Sequence, residues 1–143
     1  MRRLLMLARA DSVGKQPNGA CYLHVSGYID ALGYGGISAG GFQRAIPPAY
    51  YAEAHLFAYY LNQGSQAAQL GLRRLPLHNP YLAPAGALVV VRAGTPGTHH
   101  PTAGDIAVAD GAGHFYNGGE MSYGGSDTFF PGNTYVVGIF VPR

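Results

Sequence analysis

The chain has 143 residues, of which 48% are hydrophobic, and nine basic against seven acidic residues give a formal net charge of +2. This length suits one compact domain, residues 1–143, that buries its own core without disulfides or metals. A charge so small and so scattered excludes nucleic acid as an expected partner. The single cysteine, Cys21, excludes an intramolecular disulfide and a cysteine-rich zinc site.

The first ten residues, Met1–Ala10, begin with two arginines and continue with an apolar run. This start resembles a secretory signal, but the apolar run is short and Arg9 interrupts its end, so we expect no signal peptide. The pattern predicts a short first helix instead. No segment approaches the roughly 20 apolar residues that a membrane-spanning helix needs, so we expect no membrane span.

Cys21 begins an apolar pattern with helical spacing that runs to Leu32, and Gly33 is suited to end a helix there. A thiol in the first turn lies near the positive end of the helix dipole, which lowers its pKa and favours the nucleophilic thiolate. The opposing interpretation is that Cys21 is a small core hydrophobe, as unpaired cysteines commonly are.

A further helix is predicted from about Tyr50 to Leu61, and after it the pattern changes to short apolar runs typical of strands. Asp110-Gly111 indicates a hairpin between the second and third of these runs. The sequence therefore predicts an α+β fold, with N-terminal helices packed on one face of an antiparallel sheet. The segment Pro76–Pro84 is expected to connect the two halves, and the expected strands are residues 87–91, 105–109, 114–117 and 135–141.

Three ordered segments resemble the CHAP and NlpC/P60 papain-like cysteine hydrolases, and among them the small phage-encoded cell-wall hydrolases. The segments are Gly19–Val25, Ala85–Val90 and His100–Val108, the last leading through the Asp110-Gly111 turn to Phe115–Asn117. The similarity extends from about Gly14 to Val141. It implies a helix-borne thiolate that attacks a carbonyl of peptidoglycan, a strand-borne histidine that moves the proton, and a polar residue that orients the histidine.

The resemblance maps Cys21 onto the nucleophile and Asn117 onto the orienting position, although Asn117 also suits turn chemistry before Gly118-Gly119. It places Asp105, rather than a histidine, at the position of the base. A carboxylate there would raise the pKa of a nearby thiol, so Asp105 is a poor direct replacement. We expect His100 to act as the base, with Asp105 as its partner.

His114 is the second candidate for the base, because it is expected to begin the next strand opposite Asp105 across the hairpin. The opposing interpretation for His99, His100 and His114 is that they are exposed histidines in loops or turns. These three histidines and Asp105 are also ligand-type residues around one hairpin. Adjacent histidines in an extended segment rarely reach one ion, so we expect no metal and no other cofactor.

Two classes of function remain open at this point. The first is a cysteine peptidoglycan hydrolase, either an endopeptidase or an amidase, which belongs to a phage virion or is a lysin that acts at the bacterial cell wall or in the periplasm. The second is an inactive member of the same fold that serves as a structural or binding part of a phage tail or virion. The expected partner is peptidoglycan, together with other virion or tail proteins in the second case.

Overall fold

The structure is a computed structural model. It describes residues 1–15, 21–32, 54–77, 79–92, 104–121 and 136–142. The helices are α1 (Arg2–Ser12), α2 (Cys21–Leu32), α3 (Ala54–Leu61), α4 (Gln66–Gln69) and a 3₁₀ helix at Pro80–Leu82. The strands are β1 (Leu72–Arg74), β2 (Leu88–Val91), β3 (Asp105–Ala109), β4 (Phe115–Tyr116), β5 (Glu120–Met121) and β6 (Val136–Pro142).

The six strands form one sheet in the order β1-β6-β2-β3-β4-β5. Every neighbouring pair is antiparallel. Between β2 and β3 the register pairs Leu88 with Val108 and Val91 with Asp105. The α+β class and the antiparallel sheet are therefore confirmed, while β1 and β5 are strands that the sequence did not predict.

The three central strands are buried on both faces of the sheet. Alternate residues of β2 and β3, such as Val90 and Ile106, pack into the core beneath the helices. Their neighbours, such as Val89 and Ala107, belong to a second core on the opposite face. The helices pack on one face, as predicted, and the second core on the opposite face was not predicted. It exists because β2, and β3 after Asp105, are apolar at every position and bury both sides.

The segment between β1 and β2 covers part of this second face. Leu75, Leu77 and Tyr81 are partly buried against the second core. The Tyr81 ring meets the Phe115 ring edge to face, with 5.7 Å between ring centroids. The Pro76–Pro84 connection that the sequence indicated is thus part of the packing as well as a link between halves.

Helices α1 and α2 cover the first face of the sheet. In α1, Leu4, Ala8 and Ser12 recur every four residues and are fully buried. In α2, the buried residues Val25 and Ile29 are likewise four apart. The predicted bounds of α2 are confirmed, and α1 extends two residues beyond the predicted Ala10. Of the helix predicted from Tyr50, residues 50–53 lie outside the described part of the chain.

The start of α1 lies close against Gly86, in the turn before β2. Gly86 has a φ of +87°, and a Cβ placed there would lie 2.7 Å from the Met1 carbonyl carbon. Only glycine accommodates both this backbone conformation and this approach. The start of α1 therefore packs closely against the turn before β2.

Candidate functional site

Cys21 is the first residue of α2, as predicted, and α2 packs against β3 on the first face of the sheet. The Cys21 side chain lies outside the described part of the structure. The first turn of an α-helix has backbone N–H groups without intrahelical partners and carries a partial positive charge. This position favours the ionised form of a thiol.

Asp105 begins β3 and is 5% exposed. It lies opposite Val91, which belongs to the second core, so both side chains project from the face of the sheet away from α2. Its carboxylate accepts a hydrogen bond from the Asn117 amide nitrogen at 3.0 Å. The carboxyl group expected to support a base over Cys21 therefore projects from the opposite face to the one that α2 covers.

Asn117 follows β4 directly and is 1% exposed. Its amide nitrogen donates to Asp105 and also to the Ile106 carbonyl oxygen, at 3.1 Å. Its backbone N–H donates to the Gly119 carbonyl at 3.1 Å within the turn between β4 and β5. The structure thus brings Asp105 and Asn117 together, and Asn117 also takes part in the turn that was the opposing interpretation of this residue.

His114 lies at the far end of β3 from Asp105, so the prediction that it faces Asp105 is wrong. Its carbonyl oxygen accepts from the Asp110 backbone N–H at 3.0 Å, and its ring Nδ1 lies 3.2 Å from the Asp110 carboxylate. Asp110, which His114 contacts, is five residues from Asp105 along the direction of β3, a distance of about 17 Å. The error arose because the hairpin loop takes five residues, Asp110 to His114, and the pairing of Ala109 with Phe115 fixes its position.

The Asp110 carboxylate organises this hairpin loop. It accepts hydrogen bonds from the backbone N–H groups of Ala112, at 2.7 Å, and of His114, at 3.0 Å. Burial alone would raise the pKa of Asp110, but these hydrogen bonds and the His114 ring hold that pKa below its ordinary value. With 56% of its side chain exposed, His114 is part of the loop and matches the opposing interpretation of an exposed turn histidine.

The other histidine candidates lie outside the described residues. His99 and His100 belong to the segment 93–103, between β2 and β3, and His78 is also outside. His100 precedes Asp105 by five residues, so their Cα atoms are at most about 18 Å apart. The contacts of His100 with Cys21 or with Asp105 therefore stay a prediction.

A buried line of hydrogen bonds beside Asp105 and Asn117 was missed by the sequence analysis. The Tyr28 hydroxyl donates to the Asp11 carboxylate. The Ser12 hydroxyl accepts the Gly118 backbone N–H at 2.9 Å. Together with the Asp105–Asn117 pair these residues form what we call the polar chain: Tyr28, Asp11, Ser12, Gly118, Asn117 and Asp105.

One signal in the sequence points to the polar chain. Ser12 continues the buried spacing of Leu4 and Ala8, so a hydroxyl stands where an apolar residue is the norm.

Burial, followed by the hydrogen bond to Asp11, raises the pKa of Tyr28 well above its ordinary value. Tyr28 therefore remains a protonated donor at neutral pH.

The described residues contain no group of three or more histidine, cysteine, aspartate or glutamate side chains arranged to hold a metal ion. They also contain no helix with the length and apolar character needed to cross a membrane. Asp105 and His114, two of the ligand-type residues considered above, are far apart.

The chain matches no protein-family model, no curated protein and no solved structure. The resemblance to CHAP and NlpC/P60 hydrolases therefore stays a prediction based on the residues quoted for it.

Proposed function

We propose that the protein is a cysteine hydrolase that cleaves a peptide or amide bond of peptidoglycan, with Cys21 as nucleophile and His100 as general base. The observation that carries the proposal is a 12-residue helix that begins at Cys21 and packs against β3 of an antiparallel sheet. A thiol at this end of a helix is activated by the helix dipole. The chain segment that bears His100 leads directly into β3.

The proposed reaction has two steps. The Cys21 thiolate attacks the carbonyl carbon, and the leaving amine departs with a proton from the imidazolium of His100. The resulting thioester is then hydrolysed by water, which gives one proton to His100 as the C–S bond breaks and the thiolate returns. An endopeptidase and an amidase share this chemistry and differ only in which amine leaves.

Asp105 and Asn117 receive a positioning role in this proposal. Their hydrogen bond of 3.0 Å, and the bond from Asn117 to the Ile106 carbonyl, tie the start of β3 to the turn after β4. The Asp105 carboxylate is on the face away from α2, so the proposal gives it no contact with the reacting groups. Its role is to hold the start of β3, the strand from which the His100 segment extends. His114 has no part in the proposed chemistry, because it belongs to the opposite end of the hairpin.

The proposed setting is a phage virion, or the bacterial wall and periplasm after release of the protein as a lysin. Peptidoglycan supplies peptide and amide carbonyls in both settings. Other virion or tail proteins are proposed partners only if the protein remains part of a particle.

A non-catalytic structural or binding role in a phage tail or virion is the second candidate. The observation that favours it is Asp105 itself, which occupies the position of the base in the resemblance and is buried in a hydrogen bond with Asn117. A buried carboxylate that accepts a hydrogen bond from a side-chain amide is typical of a structural interaction. In this case the fold remains and the hydrolytic chemistry is lost.

Zymography on purified cell walls separates the two candidates. We expect the wild type to clear the wall, Cys21→Ala to lose clearing, and His100→Ala to lose about 10² or more in rate. His114→Ala is the matched control, because it also removes an imidazole but should leave clearing unchanged. Equal clearing by Cys21→Ala contradicts the proposed mechanism, and a folded wild type without clearing favours the structural candidate.

A further inference from the structure

The polar chain joins α2 to the start of β3 by way of α1 and the turn after β4. Tyr28 of α2 is bonded to Asp11 of α1, and the next residue, Ser12, is bonded to Gly118 in the turn. The residue before Gly118, Asn117, is bonded to Asp105 and to the Ile106 carbonyl. Helix and strand are thus connected through three hydrogen-bonded steps.

Four members of the polar chain are buried to an extent unusual for polar side chains, while Asp11 is 34% exposed and lies 3.5 Å from the Lys15 ammonium. The exposed fractions are 0% for Ser12, 1% for Asn117, 5% for Asp105 and 7% for Tyr28. Burying polar groups costs free energy, and their hydrogen bonds do little more than offset that cost. Apolar residues of similar shape in place of both partners would therefore give about the same stability. What hydrogen bonds add is a fixed geometry, because each bond between buried groups restricts the orientation of both partners.

A second connection fixes α1 to the same part of the sheet. The Lys15 carbonyl, just after α1, accepts the backbone N–H of Glu120 in β5 at 3.1 Å. The end of α1 is therefore bonded to the middle of the turn formed by residues 117–119 and to the residue directly after it. The bond between Tyr28 and Asp11 links that anchored end to α2, in addition to the apolar packing of the two helices.

We infer that Tyr28 and Ser12 are positioning residues that set the spacing between the helix bearing Cys21 and the start of β3, an inference that rests on the proposed function. Tyr28 follows Cys21 by seven residues, about 10 Å along the axis of α2. Asp105 marks the point at which the segment carrying His100 joins the sheet. Asp11 of α1 accepts from Tyr28, and Ser12 of α1 accepts from Gly118, the residue after the Asn117 that is bonded to Asp105. These bonds act together with the direct packing of α2 on β3.

Ionisation of Tyr28 does not disturb its bond to Asp11 at neutral pH. Burial raises the pKa of Tyr28 well above its ordinary value, so its hydroxyl remains a donor. A cysteine thiol ordinarily ionises near pH 8.5, or lower when activated. The positioning contact therefore persists over the whole range in which Cys21 becomes a thiolate.

A double-mutant cycle tests the connection without reference to activity. Tyr28→Phe and Asn117→Ala are measured singly and together by urea unfolding. Their side chains are joined only through Asp11, Ser12 and Gly118 among the bonds described, and we expect their effects on the unfolding constant to depart from simple multiplication by about threefold or more. If Asn117→Ala does not fold, Ser12→Ala replaces it in the cycle.

The matched control is Tyr60→Phe, which also removes one tyrosine hydroxyl bonded to a side-chain oxygen. The Tyr60 hydroxyl donates to Gln66 at 2.9 Å, in the region of α3 and α4 and outside the polar chain. The effects of Tyr60→Phe and Asn117→Ala on the unfolding constant should simply multiply in the double variant, which means that the two sites are not coupled. Coupling as large as that of Tyr28→Phe would overturn the inference.

The thiol supplies the second readout, which a purely structural role would not move. The rate of Cys21 alkylation by iodoacetamide is measured against pH in folded protein. We expect Tyr28→Phe and Ser12→Ala to change this rate about threefold or more at neutral pH, with Tyr60→Phe unchanged. Ser12→Thr, which keeps the accepting oxygen, should restore most of the wild-type rate.

The outcomes separate this inference from the proposed function. If wild-type Cys21 ionises like an ordinary thiol, the proposed function fails and the positioning role fails with it. If the wild-type thiol is activated but the cycle shows no coupling, only the positioning role is wrong. Coupling with unchanged alkylation in both variants also overturns it, because the polar chain then stabilises the fold without affecting the thiol.

Discussion

Replacing Ser12 by alanine removes one oxygen atom from the core and leaves the Gly118 N–H without the acceptor that now lies 2.9 Å away. Ser12 is fully buried, so alanine fills nearly the same space and creates almost no cavity. The cost is therefore that of a buried donor that has lost its partner, about 1–3 kcal/mol. We expect Ser12→Ala to lower the free energy of unfolding by about 2 kcal/mol.

This loss is large enough to measure by thermal unfolding. A 143-residue domain unfolds with an entropy of about 0.3 kcal/mol/K, so 2 kcal/mol corresponds to a fall of about 7 °C in Tm. Circular dichroism on heating and urea titration supply independent values. Ser65→Ala is the control, because the Ser65 hydroxyl accepts from Gln69 at 3.2 Å in an exposed position and should contribute less than about 0.5 kcal/mol.

A Ser12→Ala variant as stable as the Ser65→Ala control would refute the reasoning. It would mean that the Gly118 N–H is satisfied equally well without Ser12, and that the bond between α1 and the turn after β4 contributes no net stability.

Three other predictions concern backbone fit and pH. Gly86→Ala should lower the urea midpoint clearly, because its Cβ would overlap Met1, whereas Gly64→Ala, with a φ of +50° but open space around it, should cost only backbone strain of about 1 kcal/mol. A Gly86 variant as mild as the Gly64 variant would show that the chain start shifts freely. The folded pKa of Asp110 lies below its ordinary 3.8, so its stabilising contribution is present above that pH and is lost as pH falls through the lowered value. Acid titration of the unfolding free energy should therefore have a smaller slope in Asp110→Ala, and equal slopes would contradict the role given to this carboxylate. The folded pKa of Tyr28 is raised from 10.0, so its contribution is present below pH 10 and declines as pH rises further. Alkaline unfolding curves should have a weaker pH dependence in Tyr28→Phe, and an unchanged curve would show that the buried phenol is not responsible.

The elements that could be predicted from the sequence are those with a sustained apolar pattern. The bounds of α2 agree with its predicted residues because its apolar residues recur at helical spacing. The bounds of β3 agree because it is a short apolar run that ends at the Asp110-Gly111 turn. β1 and β5 contain three and two residues, too few to show alternation. They form because β6 and β4 present matching backbone groups, which is information carried by distant parts of the chain.

The same distinction applies to the candidate site. Asp105 and Asn117 were both selected from the sequence, and the structure brings them into contact. The face from which Asp105 projects could not be predicted, because the rest of β3 is apolar on both sides and shows no alternation. The position of His114 depended on the length of the hairpin loop, which Asp110 determines through hydrogen bonds to Ala112 and His114.

The brevity of the outermost described strands bears on how the folded protein avoids self-association. A sheet margin with free backbone N–H and C=O groups invites another chain to add a strand and so begins aggregation. β1 presents only three residues, and its Arg73 and Arg74 are exposed. At the other margin β5 has two residues and begins with the exposed Glu120. An incoming strand at either described margin would gain few backbone hydrogen bonds and would have to accommodate a charged side chain.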